Sequence, residues 1–226
     1  VTGYSWFNAK IVNGFDQTIP VNGAATNNSV YNSFPERFDQ FSQELRILSP
    51  TGRTFEFVAG VYYDHSNYRL DQLQGFDILN LGGSPYFGLI NSRFNQKADS
   101  YSVFGQGTLN INDSLRVIGS LRYTHTDKDG DFASRLEYGP FAIRPISTAV
   151  GSISEGNLDP SATIQYDIAP RVMVYATYGR GSKSGGFVSN SLGTTDATFS
   201  FKPEKSRNYE IGLKSTLFDG KVVANL

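Results

Sequence analysis

Apolar and polar residues alternate one by one along most of this chain, and the alternating segments come in pairs joined by short turns. In FSQELRIL (41–48), Phe41, Leu45 and Ile47 fall on one face and Ser42, Glu44 and Arg46 on the other. After the turn SPTGRT, FEFVAGVYY sets Phe55, Phe57, Ala59, Val61 and Tyr63 on a single face. A period of two belongs to a strand, so each such pair predicts a β-hairpin. YSVFGQGTLNI (101–111), the turn Asn112-Asp113-Ser114 and LRVIGSLRY (115–123) predict a second hairpin. LDPSATIQYDI, the turn Ala169-Pro170-Arg171 and VMVYATY predict a third. NYEIGLKSTL, the turn Phe218–Lys221 and VVANL predict a fourth, with the chain stopping in mid-strand.

The connections between hairpins are of another kind. Asp64 to Asp99, His125 to Gly156 and Gly181 to Glu204 span about 35, 30 and 25 residues. They are rich in Gly, Asn, Ser, Asp and Tyr and are expected to be long loops. Short turns alternating with long loops suit a membrane barrel, whereas loops beyond about 15 residues are unusual in a compact soluble sandwich. The faces differ in the same sense. One is apolar or Gly/Ala, as lipid requires; the other carries Glu44, Arg46, Gln106, Arg116, Arg122, Gln165, Glu210 and Lys214, as a hydrated lumen allows. Tyr62, Tyr63, Tyr68, Tyr123, Tyr175 and Tyr178 are expected to form an aromatic belt at the outer interface. A soluble β-sandwich, whose strands also alternate, is the competing architecture.

Composition sharpens this picture. Thirteen Tyr, 17 Phe and 23 Gly in 226 residues favour strands and tight turns. A formal charge of −1 offers no basic field for nucleic acid. Mean hydropathy is −0.31, and no run of 18 apolar residues could form a membrane helix, but a spanning barrel averages out as hydrophilic. With no cysteine, disulfides, thiolate metal sites and thiol nucleophiles are all excluded. VTGYSWFNAK lacks the basic and apolar regions of a signal peptide, which places the chain downstream of any such leader.

Two blocks go beyond periodicity. VYATYGRGSKSGGF followed by FKPEKSRNYEIGLKSTLFDGKVVANL resembles the barrel of TonB-dependent outer-membrane receptors, on Gly185, Gly186, Phe187, Pro203, Glu204, Asn208, Tyr209, Glu210, Gly212 and Lys214. FSQELRILSPTGRTFEFVAGVYY is similar to a second block of the same family, and the blocks together cover about half the chain. The resemblance implies an all-β, antiparallel transmembrane β-barrel of the Gram-negative outer membrane. About nine strands of a barrel of about 22 are expected here. It also implies a plug domain and TonB box outside this sequence, so residues 1–226 read as a partial barrel domain. The implied function is active import: a scarce solute (iron chelate, vitamin, glycan or aromatic compound) is bound outside and moved with TonB-derived energy. A passive porin or small structural barrel is the alternative.

Selectivity is expected in the loops, where Tyr62, Tyr68, Arg69, Tyr86, Phe87, Arg93, Tyr138 and Phe187 can stack on and hydrogen-bond a solute. Glu44, Arg46, Arg122, Glu210 and Lys214 are the lumen- or plug-facing candidates. The expected partners are outer-membrane lipid, the TonB complex through the plug and a small-molecule or chelate solute. No cofactor, resident metal, nucleic acid or catalytic group is expected. YGRGSKSGGF has the glycines and cations of a phosphate loop, but no G-x-x-x-x-G-K frame fits and no helix follows. Asp127, Asp129 and Asp131 mimic the start of a calcium loop, yet Phe132 stands where that loop needs glycine. An Asp-Gly turn is the plainer expectation, with a calcium site of another kind left open. His65 and His125 are too few for a histidine metal site, and no hydrolase triad stands out.

Overall fold

The computed structural model describes residues 1–21, 24–81, 84–140, 146–189, 195–218 and 221–226, with side chains described outside 15–28 and 78–86. The strands are β1 (Thr2–Val21), β2 (Ala24–Leu48), β3 (Phe55–Leu81), β4 (Ser84–Asn110), β5 (Leu115–Tyr138), β6 (Thr148–Ala169) and β7 (Val172–Lys183). The short β8 (Gly186–Phe187), a one-turn α1 (Asp196–Phe199), β9 (Ser200–Phe201), β10 (Glu204–Leu217) and β11 (Val222–Asn225) follow. Among the described residues, nine strands form one antiparallel sheet in the order β1-β2-β3-β4-β5-β6-β7-β10-β11, and β8 pairs with β9 apart from it.

The predicted turns are built by local chemistry. Gly52, at φ 73°, takes the left-handed conformation that its missing Cβ permits, between β2 and β3. The Asn112 side-chain oxygen accepts the backbone N–H groups of Ser114 (2.9 Å) and Leu115 (2.8 Å), closing the β4–β5 turn. Arg171, at φ 68°, carries the left-handed residue of the β6–β7 turn. The last turn is described only at Phe218 and Lys221; the other two positions of that turn lie outside the described residues.

The faces follow the alternation. Leu45, Val61, Val103, Tyr123 and Leu158 lie side by side in register across five strands and are 44–64% exposed. One residue along, Glu44, Tyr62, Ser102, Thr124 and Asn157 form the matching row of the opposite face, half-buried or buried. Parity sorts the tyrosines more finely than expected. Tyr63, Tyr101, Tyr123, Tyr178 and Tyr209 share the apolar face, with Tyr63–Tyr101 rings 5.0 Å and Tyr178–Tyr209 rings 5.2 Å apart. Tyr62, Tyr68 and Tyr175 sit on the polar face, so the belt does not include them.

Two expected long loops are strands instead. β3 and β4 each run 27 residues and stay paired from Phe55↔Leu109 to Ile78↔Tyr86 and Leu81↔Ser84. β5 and β6 pair as far as Ala133↔Thr148. Crossing a bilayer takes about 9–11 residues, so these hairpins continue well past it. Beyond the tyrosine row the outer face no longer needs to meet lipid, and the alternating apolar signal fades while the backbone ladder continues. The DKDGDF segment is thus neither a turn nor a coiled calcium loop. Asp127, Asp129 and Asp131 are alternate residues of mid-β5, on one face of an extended strand.

Buried apolar packing concentrates above the belt on the polar face. Leu70, Phe94, Phe132 and Ala149 form one register row on β3–β6. Phe187 and Phe199, from the connection between β7 and β10, pack onto that row, with Phe34, Tyr68 and Ile153 around them. The described parts of the connection, 184–189 and 195–203, therefore fold inward over the sheet.

Candidate functional site

The polar face carries three constellations, at successive heights. Lowest is the E-x-G-x-K run of β10, whose Glu210, Gly212 and Lys214 are alternate residues of one face. Tyr175 of β7 stands opposite Gly212 in register. Its ring lies where a Cβ on Gly212 would come within 2.5 Å of ring atoms, so glycine is required for the ring to lie down across the strand. The Tyr175 hydroxyl donates to Glu210 at 2.5 Å, and the Lys214 ammonium sits 5.4 Å from the ring centroid. Beside them, Arg116 Nη2 donates to both Asp167 oxygens, at 3.2 and 3.1 Å.

At mid-height, Arg122 of β5 holds its guanidinium 5.5 Å from the rings of both Tyr62 and Phe104. Nη2 donates to Ser102 Oγ at 2.9 Å and Nε to Thr124 Oγ1 at 3.3 Å. Arg46 approaches Phe104 from the other side, at 5.9 Å, and is ion-paired with Glu44.

Highest is the inward-folded connection. Phe187 and Phe199 stack with centroids 4.8 Å apart. Gly130 and Gly151 are cross-strand partners, and a Cβ on either would meet the Phe187 ring, at 2.5 and 2.8 Å. The paired glycines are the flat seat for this ring. Polar contacts secure the rest: Lys128 Nζ donates to the Gly185 carbonyl (2.7 Å) and the Gly185 N–H to Glu155 Oε1 (3.0 Å). Ser182 Oγ donates to Asp159 Oδ2 (2.6 Å), and the Val150 N–H to Asp196 Oδ1 (2.9 Å). Burial pushes the Lys128 ammonium below its ordinary value, with Glu155 and Asp64 opposing the shift. Burial likewise pushes the Tyr68 phenol up, helped by Glu36.

This arrangement has one sheet with a largely apolar outer band, interrupted at Gln43 and Ser215, and an inner face bearing charged, aromatic and hydroxyl groups. A sequence model of the family described as TonB dependent receptor-like, beta-barrel matches residues 2–226. The chain belongs to the TonB-dependent receptor family. It is part of a transmembrane β-barrel, and the family consists of outer-membrane transport receptors. Among solved structures it is similar to the ferric yersiniabactin uptake receptor FyuA of Yersinia pestis, with a TM-score of 0.67 and 20% identity over 95% of this chain and 31% of that one. The closed form of the ferric-catecholate import receptor Fiu of E. coli K12 gives 0.59, with 17% identity over 98% of this chain and 36% of that one. The siderophore receptor PiuA of Acinetobacter baumannii gives 0.57, with 15% identity over 99% of this chain and 36% of that one. The chain thus spans about a third of the length of these receptors.

In this receptor wall the sequence-predicted residues separate by face. Glu44, Arg46, Arg122, Glu210, Lys214, Tyr62 and Tyr68 lie on the inner face, where Tyr68 packs on Phe94 at 6.0 Å. Phe187 is on the inner side too but only 7% exposed, within the docked connection. Arg69 and Arg93 lie on the outer face above the belt, both donating to Asp71 (2.8 Å each). Burial pushes the Asp71 carboxyl up, but these two hydrogen bonds outweigh it and hold it below its ordinary range. Phe87 and Tyr138 meet at the outer tip, with rings 5.6 Å apart; the Tyr86 side chain lies outside the described residues. His65 and His125 are on the outer face, beside Asp99 (3.0 Å) and Asp127 (3.3 Å). Among the described residues no three His, Asp or Glu side chains converge as a metal site. Sequence reading missed Phe199, Lys128 and Glu155. Their only signal was negative: an aromatic and two charges in stretches read as loop.

Proposed function

We propose that this chain is part of the wall of a TonB-dependent importer in the outer membrane of a Gram-negative bacterium. The importer would bind a scarce ferric chelate on its extracellular side and pass it inward along the polar face. The observation that carries the reading is the pairing of an exposed apolar band with an inner face narrowed by a docked aromatic connection. A plain hydrated pore would not need a buried Phe187–Phe199 stack on its inner wall. Energy would come from the TonB complex through a plug domain outside residues 1–226. The ferric-chelate choice draws support from the similar structures, which are receptors for ferric yersiniabactin, ferric catecholate and a siderophore.

Tyr62 and Tyr68 are the proposed solute contacts, since both present rings to the inner face. Arg69, Arg93, Phe87 and Tyr138 would reach a solute only over the strand tips, and Phe187 only if the connection moved. Glu44, Arg46, Glu210 and Lys214 would face the plug. The test is uptake of radioactive iron chelates by cells carrying the full-length receptor, with and without TonB. Uptake that vanishes with TonB supports the proposal; TonB-independent diffusion of small solutes would replace it with a porin. Uptake of a vitamin or glycan in place of iron would overturn the chelate assignment alone.

A further inference from the structure

Arg122 differs from the other inner-face arginines in how its charge is met. Arg46 is ion-paired with Glu44 and Arg116 with Asp167. Arg122 is half-buried, and among the described residues no carboxylate lies within ion-pair distance of it. Asp159 stands directly opposite in register, but its Oδ2 is taken by Ser182 at 2.6 Å and its buried Oδ1 has no partner. The neighbours of Arg122 are instead two ring faces and two hydroxyls, which fix the guanidinium plane without neutralising it. Phe104 is itself held flat, because a Cβ on its cross-strand partner Gly60 would meet the ring at 2.7 Å.

A guanidinium in this setting is organised for an anion. Its planar fork matches a carboxylate, and ring faces that exclude water strengthen the attraction. Fixing the fork beforehand lowers the ordering cost of binding. Arg122 lies between Leu121 and Tyr123 of the apolar band, roughly 33 Å along the strand below Phe132 at about 3.3 Å per residue. It is therefore at the height of the tyrosine belt, beneath the docked connection.

We infer that Arg122 is a carboxylate-receiving site on the lumen wall, filled by a carboxylate of the passing solute or by an acidic side chain of the domain seated in the lumen. The inference rests on the importer reading, and its test separates the two. Purified full-length receptor is compared as wild type, Arg122→Gln, Arg122→Lys and Asp159→Asn, with citrate as the carboxylate probe. Cells carrying each form are tested for entry of vancomycin, a large hydrophilic antibiotic. If solute carboxylates use the site, citrate raises the wild-type Tm and Arg122→Gln weakens the response about tenfold, with vancomycin exclusion intact. If the seated domain uses it, Arg122→Gln admits vancomycin and Arg122→Lys restores the barrier in part. The inference is overturned if Arg122→Gln leaves both readouts at wild-type values. It is equally overturned if Asp159→Asn reproduces the Arg122→Gln effects, since Arg122 would then be serving Asp159. A receptor that shows the citrate response but no TonB-dependent uptake would sink the importer reading and leave the site standing.

Discussion

At the scale of single residues, the sheet uses glycine to make room for a ring from a neighbouring strand or from the docked connection. Gly212 under Tyr175, Gly60 under Phe104 and Gly130 under Phe187 share this device. Such positions are easily read as turn or bulge glycines, because a sequence does not say which ring will lie over them. Gly130→Ala should therefore force the Phe187 ring to shift and cost about 1–3 kcal/mol. The control is Gly119→Ala, where the added methyl group would meet nothing within 4 Å. Thermal denaturation of the two variants in detergent checks this, and equal Tm values would refute the seat. Asp71 gives a pH dependence at the same scale. Its carboxyl is held below the ordinary value of 3.8 by Arg69 and Arg93. Its stabilising contribution is thus full above that value and is lost as pH falls through the lower folded value. Asp71→Asn should flatten this part of the Tm profile, below about pH 4.

At the scale of elements, the hairpins outrun their own hydrophobic signal. Alternation identifies the membrane-crossing parts of β2–β7 and β10, because lipid on one side and water on the other impose opposite demands on successive residues. Above the belt that contrast disappears, and 64–99 reads as loop although β3 and β4 remain paired from Asp64↔Ser100 to Ile78↔Tyr86. A trace survives in Leu70 and Phe94, neighbours in the buried row, but the row is completed by Phe187 and Phe199 from far along the chain. The connection between β7 and β10 owes its inward fold to that pair. Phe199→Ala should cost about 3–5 kcal/mol locally and loosen the connection without unfolding the barrel. Limited trypsin digestion should then cut faster at Lys183, which lies just before the connection, while the remaining strands stay intact. Unchanged cleavage would mean the connection is held by its polar contacts alone.

At the scale of the whole molecule, the two faces carry different tolerances. Leu121 is 49% exposed on the lipid-facing band, whereas its neighbour Ser120 faces inward and shares a 2.7 Å hydrogen bond with Ser161. Leu121 lies two residues below Tyr123 of the belt, so Leu121→Arg should destabilise the folded barrel by about 1–2 kcal/mol, between the midplane and interfacial costs. Ser120→Arg, into a hydrated lumen, should cost less. Urea unfolding of the full-length receptor in lipid vesicles, followed by heat-modifiable gel mobility, compares the two. A reversed order would reverse the assignment of the faces.

The strand-turn-strand order, the parity of the faces and the family were all legible in the chain of residues, because alternation and turn residues are local and the glycine-containing blocks lie close together. The same pattern placed Glu44, Arg46, Arg122, Glu210 and Lys214 on one face, since a period of two leaves no other choice once the register is set. Apart from the Glu44–Arg46 pair, which lies along one strand, what those charges meet emerged only when the strands were laid side by side. The Tyr175–Glu210 bond, the ring sandwich around Arg122 and the seating of Phe187 on Gly130 and Gly151 all join different strands. Such contacts depend on register and on the inward fold of a distant connection, and neither is written in the spacing of residues along one strand.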